Sequence, residues 1–317
     1  MSSSLKILGC GDVQGKFVQF FKRINSVSSK AGPFDMILCC GDFFGQELEF
    51  DEENKTFWND VKIGKIKVPA PIYLLGPQDD SQKFLFPDIE GCELATDIIY
   101  LGKIGLLTTS QGLKMAYISP NVDFESVKSL EVRTKCDSED FQGVDILLSS
   151  DWPLGIGSLD NEVKATDGVS VVSRLAVKLR PRYHFAGTKG VFYERIPYRN
   201  HRIMMGTQRH VTRFIAMAKV GNPEKKKWIY AFNIVPMKQM SRSDLIAQPA
   251  TASDIPYNES HMKCGENKQN HQLRWDMNTP MEDNNRKRKG DRHDQRAKRP
   301  PPQPTGPCWF CKYNHKL

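Results

Sequence analysis

Three aspartates stand directly behind short apolar runs, and each run ends in a glycine turn. In residues 6–15, KILGCGDVQG, the apolar Ile7, Leu8 and Cys10 lead into Gly11-Asp12-Val13-Gln14-Gly15. The pattern returns in 36–45, MILCCGDFFG, which ends in Gly41-Asp42, and in 72–79, IYLLGPQD, with Gly76 and Asp79. Short apolar runs closed by glycine read as buried strands whose loops leave at one end. In open α/β sheets ligands collect at that end. Three carboxylates delivered there are what a divalent-metal or phosphate-handling site requires. Each alone has a plainer use, since Asp also caps helices and stabilises turns.

The elements around these residues follow from their periodicity. Phe17, Phe20, Phe21 and Ile24 recur at helical spacing, so 16–28 reads as a helix closed by Gly32-Pro33, completing a βαβ start. An acidic surface loop is expected over 47–54, with a short helix over 57–61. Residues 98–119 read as a meander of short strands separated by Gly102, Gly105 and Gly112. Asp123 is placed to cap a helix reaching Thr134, and 144–149 (VDILLS) is a further buried strand ending in Ser149-Ser150-Asp151-Trp152-Pro153. A helix carrying Val169, Val172, Leu175 and Leu179 follows. Strands are expected near 183–186, 190–195, 212–219 and 228–236, the last two joined as a hairpin through Gly221-Asn222-Pro223. The fold class is α/β to α+β, parallel at the start and antiparallel at the finish.

Of the 317 residues 39% are hydrophobic, enough for a proper core, and no run approaches the length of a membrane span. The N-terminal MSSSLKILG lacks the features of a secretory signal, and Cys10, Cys39 and Cys40 sit inside apolar runs as reduced thiols. A nuclear or cytosolic address is expected. The net charge of +8 is local. Residues 286–299 carry Arg286, Lys287, Arg288, Lys289, Arg292, Arg296, Lys298 and Arg299 against Asp291 and Asp294, and Lys312 and Lys316 supply the remainder. Residues 1–285 are therefore electrically balanced. That argues against a dedicated basic groove and for an import signal or loose RNA attraction in the tail. Beyond about Gln239 the apolar pattern fades, so the chain divides into a domain over 1–240, a disordered basic and Pro-rich linker over 241–307, and a short segment over 308–317.

Taken together, Asp12-x-Gln14, Gly41-Asp42, Gly76-Pro77-Gln78-Asp79, Ser150-Asp151 and Gly187-Thr188 resemble, in order and spacing, the motifs of the calcineurin-like metallophosphoesterases. That family has Asp-x-His, Gly-Asp, Gly-Asn-His-Asp/Glu, a lone His and Gly-His-x-His on a two-sheet sandwich flanked by helices. The resemblance implies this fold with its ligands replaced: Gln14, Pro77, Gln78, Ser150, Thr188 and Gly190 stand where the family has its other ligands, mainly histidines, while Asp12 and Asp42 remain. Two carboxylates with neutral Gln, Ser and Thr would hold Mg²⁺ or Mn²⁺ only weakly, so no resident cofactor is expected. His184, near the last motif, reads as a strand residue. Residues 145–153 with 178–185 are similar to segments of the RNA lariat debranching enzyme. The stretches 5–17, 182–187, 192–201, 210–237 and 300–311 together resemble the CwfJ-type splicing factors. This second resemblance implies a nuclear, non-catalytic factor of pre-mRNA splicing, a scaffold or accessory of lariat debranching, with spliceosomal proteins and the debranching enzyme as partners.

Two rivals stay open: a metal-dependent RNA phosphodiesterase using Asp12, Asp42, Asp79 and Asp151, and an RNA-binding module acting through the basic tail. Tyr193, Arg195, Tyr198, Arg199 and Arg202 mix aromatics with cations, a second candidate for RNA contact. Cys308 and Cys311 form a C-x-x-C half-site. Zinc needs four ligands, and only His315 lies near. In the family the segment begins a histidine-triad-like domain, and the chain reads as shortened there.

Overall fold

Helix α1 (Phe17–Ala31) buries the four apolar residues its spacing aligns, Phe17, Phe20, Phe21 and Ile24, against a first sheet. In this computed structural model residues 4–45, 51–157, 168–201 and 208–262 are described. The first sheet contains β1 (Leu5–Cys10), β2 (Met36–Cys39) and β3 (Ile72–Leu74), followed by β4 (Cys92–Ala95) and β5 (Ile98–Tyr100). The second contains β6 (Ile104–Thr108), β7 (Lys114–Ile118), β8 (Val144–Ser149), β9 (Pro181–Ala186), β10 (Tyr193–Glu194), β11 (Tyr198–Arg199) and β12 (Val211–Ala216). The chain then returns, and β13 (Ile229–Ile234) joins the first sheet beside β1. Strand order is β13-β1-β2-β3-β5-β4 in the first sheet and β10-β12-β9-β8-β7-β6 in the second, with β11 beside β12.

Three apolar layers result. One lies between the first sheet and α1 with α2 (Glu52–Lys62); one lies between the sheets, built on Ile7, Leu38, Met115, Ile146 and Phe185. The third lies between the second sheet and α3 (Phe124–Thr134) with α4 (Ser170–Leu179). This is the two-sheet sandwich flanked by helices that the resemblance implied. Asp123 caps α3 by accepting the Ser126 N–H, as its position suggested. No helix among the described residues is long and apolar enough to cross a membrane.

Four expectations are corrected. Parallel pairing is not confined to the start: β1-β2-β3-β5 and β7-β8-β9-β12 are both parallel, and antiparallel partners occupy only the edges. The glycine-punctuated stretch 98–119 is not one meander, because β5 closes a hairpin in the first sheet and β6 opens one in the second. Likewise β12 and β13 belong to different sheets, so the loop between them is a crossing, not a hairpin turn. The helix expected over 57–61 begins at Glu52, where Asp51 accepts the Asn54 N–H and Glu52 and Glu53 suit the positive end of the helix dipole.

Packing also runs past residue 240. After α5 (Arg242–Ile246), Ser253 bonds to Pro197 and Arg199 through its backbone, and Tyr257 is buried in the third layer before α6 (Glu259–Met262). The tail cations and Cys308 with Cys311 lie outside the described residues.

Candidate functional site

Parallel register carries the loops after β1, β2, β3, β8 and β9 to one edge of the sandwich, and Asp12 stands at their meeting point, 2% exposed. Its Oδ1 accepts the Asp42 N–H at 2.8 Å and the Thr188 N–H at 3.0 Å, and Oδ2 also lies 3.1 Å from the Thr188 nitrogen. Its backbone oxygen accepts the Val220 N–H from the loop after β12. One aspartate thus joins loops from both sheets.

Close approach makes glycine obligatory around it. A Cβ on Gly41 would fall 2.0 Å from Asp12 Oδ1, and one on Gly187 would fall 2.6 Å from the Gly41 Cα. Gln14 and Thr188 take left-handed backbone conformations, φ +50° and +67°. Both are held by bonds to their neighbours: Gln14 N–H donates to the Asp42 oxygen, and Thr188 Oγ1 donates to the Ser150 oxygen at 3.0 Å.

Asp42 is the second shared carboxylate. Its Oδ1 accepts the Gly45 N–H at 2.9 Å and the Gln82 amide at 3.2 Å. Gln82, 4% exposed, also donates to the Gly45 oxygen and accepts the Gln78 N–H, so it links the loops after β2 and β3. Nothing in the segment DDSQKF distinguishes this glutamine from surface residues; it is buried because the 3₁₀ turn Asp80–Leu85 folds it inward. Asp79 reaches the same edge with a different employment: exposed, it caps that turn through the Ser81 N–H and hydroxyl.

The titration of these groups follows from burial. Desolvation pushes the Asp12 carboxyl up to about 6, helped by the charge of Asp42 and opposed by the Asp42 and Thr188 N–H groups. Asp42 is raised for the same reason, against the Gly45 N–H and Gln82. Asp79 is lowered, first by the Ser81 hydroxyl. Burial raises Asp151 too, against the pull of Lys189. Ser150 contributes its backbone oxygen to Gly187 and Thr188, while its own hydroxyl is buried without a partner; so is the Gln78 amide nitrogen. His184 is a buried strand residue, as its position in β9 suggested. Its Nε2 meets Ser149 Oγ at 2.9 Å, its ring stands edge-on to Phe214, and burial lowers its pKa to about 3.

A two-metal phosphoesterase centre needs carboxylates and imidazoles with lone pairs free for the ions. Here both oxygens of Asp12 and those of Asp42 face N–H donors, and the intervening positions supply Gln14, Gln78, Ser150 and Thr188. These residues do not fit such a centre. Among the described residues no group of three or more His, Cys, Asp or Glu side chains is placed to hold a metal ion.

No family model matches the chain. CWF19-like protein 1 of Mus musculus is 41% identical over 334 residues, covering 97% of this chain and 60% of that protein. The CWF19-like protein 1 homologue of Caenorhabditis elegans is 42% identical over 335 residues, covering 98% and 60%. Among solved structures, a purple acid phosphatase from yellow lupin seeds aligns with a TM-score of 0.41 at 14% identity, covering 74% of this chain and 48% of that one; a likeness this distant carries no argument here. The chain spans about three fifths of the length of the curated relatives it matches. Over that span it is homologous to the CWF19-like protein 1 proteins.

Proposed function

We propose that the protein is a non-catalytic factor of pre-mRNA splicing that acts in the nucleus as a scaffold or accessory of intron lariat debranching, with spliceosomal proteins and the debranching enzyme as its partners. The observation that carries the non-catalytic half is the employment of Asp12: a carboxylate needed to hold metal instead receives the Asp42 and Thr188 N–H groups. Phosphodiester hydrolysis needs an activated water and a group that neutralises developing charge. The buried Asp12, Asp42 and Gln82 network supplies neither in the form the metallophosphoesterases use. Homology to the CWF19-like protein 1 proteins and the resemblance to CwfJ-type factors support the splicing half. On this reading the sandwich edge serves to hold the loops in one shape for a partner, and Mg²⁺ or Mn²⁺ binds weakly at most.

Two measurements test it. The full chain, incubated with branched lariat RNA and Mn²⁺, should release no linear product, and tagged protein should recover spliceosomal proteins and the debranching enzyme from nuclear extract. Hydrolysis that disappears in Asp42→Ala would establish an active phosphodiesterase instead, and recovery of neither partner class would remove the splicing role.

A further inference from the structure

Beside the Asp12 junction the chain carries a feature that neither the fold nor the reading above employs. The crossing from β12 to β13 presents Lys225, Lys226 and Lys227 in succession, all exposed, a local run of cations within residues 1–285, whose charges balance overall. The loop is held to one shape. Asn222 Nδ2 donates to the Lys219 and Lys226 oxygens at 2.8 and 2.9 Å, and its Oδ1 accepts the Lys226 N–H at 2.7 Å. At its base, Val220 N–H donates to the Asp12 oxygen and Ala218 N–H to the Lys227 oxygen, while Lys16 Nζ donates to the Val220 oxygen at 3.3 Å. Lys16 thus reaches the base of the loop, and Lys219 opens it.

Two details describe how the cations are set. Lys225 takes φ +54°, a left-handed turn position of the kind Lys135 and Arg180 take at the ends of α3 and α4. Lys227 Nζ lies 4.9 Å from the ring centre of Phe192 and 4.4 Å from that of Tyr230, both half-buried. The Lys226–Glu224 pair at 2.7 Å is exposed and offsets little of this charge.

We infer that the loop 219–227, with Lys16, is a cationic ridge that binds the phosphate backbone of single-stranded RNA. Lysine ammonium groups suit phosphates as point charges, and a row of them on a fixed loop neutralises successive phosphates along a strand. The rings of Phe192 and Tyr230 hold the Lys227 ammonium in place at one end of the row, so its charge is set for a phosphate before the strand arrives. The inference is independent of the splicing role, since it concerns binding to naked RNA with no partner present.

Its test is fluorescence anisotropy of the full chain with a labelled oligouridylate of about 20 nucleotides, between about 50 and 200 mM salt. Replacing Lys225, Lys226 and Lys227 together by Gln should weaken binding about tenfold or more and reduce the salt slope by about 2, because each lost phosphate contact on a single strand removes about 0.7. The same factor should appear when Arg286, Lys287, Arg288 and Lys289 are already replaced by Gln, which separates the ridge from the tail. Asn222→Ala keeps every charge but releases the loop, and should weaken binding several-fold. Among the described residues, the only folded-state contacts of note that the triple variant gives up are those of Lys227 with Phe192 and Tyr230, so a melting temperature lowered by no more than about 2–4 °C accompanies the expected result. Undiminished RNA binding by the triple variant would overturn the inference, as would an Asn222→Ala protein that binds like wild type. Polyglutamate bound as tightly as the RNA would overturn it too, by marking the ridge as a site for acidic protein.

Discussion

Asp12 is a residue whose chemistry is decided by its surroundings. Its folded pKa of about 6 lies above the ordinary 3.8, so the stability it lends is fully present below pH 3.8 and is lost as the pH rises through about 6. The loss is on the order of 3 kcal/mol for a group this buried. Asp12→Asn keeps an oxygen for the Asp42 and Thr188 N–H groups without the charge. Urea unfolding should therefore show this variant gaining on wild type by about that amount between pH 4 and pH 7, whereas Asp12→Ala should lose about 2–4 kcal/mol by stranding two buried donors. His184 works in the opposite sense. Its pKa is depressed to about 3, so its contribution is present above pH 6.5 and is lost as the pH falls. Replacing it by Gln should remove on the order of 3 kcal/mol of acid destabilisation between pH 7 and pH 4, read as a flatter stability curve than wild type over that range.

At the scale of elements, the loops are fixed by side chains that bond to backbone, each doing the work that a ladder does within a sheet. The 3₁₀ turn after β3 inserts Gln82 between the Gly45 oxygen, the Gln78 N–H and the Asp42 carboxylate. Gln82→Ala should cost about 1–3 kcal/mol by leaving those groups unpaired in a buried place. Amide exchange should accelerate at Gln78 and Gly45 while the amides of β1 and β2 keep their protection. Uniform acceleration through both strands would place Gln82 in the global folding unit instead of a local one.

Over the whole molecule, the two sheets are tied at both ends. Asp12 holds one end. At the other, Asp145 in β8 accepts the Lys114 and Met237 N–H groups and pairs with Arg182, whose guanidinium also donates to the Val235 oxygen beyond β13. The third layer depends on residues far along the chain, since Tyr257 is buried there with its hydroxyl 3.4 Å from that of Tyr198. A protein ending at residue 240 should therefore be less stable than one ending at 262 by at least about 2–3 kcal/mol, the value of one large buried side chain. Equal melting temperatures for the two would show that the segment after 240 packs without contributing.

Strand and helix identity were legible in the sequence wherever a local period sufficed: Phe17, Phe20, Phe21 and Ile24 on one helix face, the apolar run Ile146–Leu148 in β8, and Asp123 ahead of α3. So was the delivery of Asp12, Asp42 and Asp79 to one edge of the first sheet, because parallel strands must carry their following loops to a common side, whereas Ser150 and Thr188, from the second sheet, were joined to them only by the resemblance to the metallophosphoesterases. What each group does there was not legible. Whether a carboxylate faces a metal or an amide depends on which backbone lies within about 3 Å of it, and for Asp12 that backbone is at 42 and 188, set by the contact of two sheets. Gln82, the division of 98–119 between the sheets, and the return of β13 to β1 were likewise decided by non-local packing. Local spelling reports propensity and period, and carries no record of which distant segment will lie alongside.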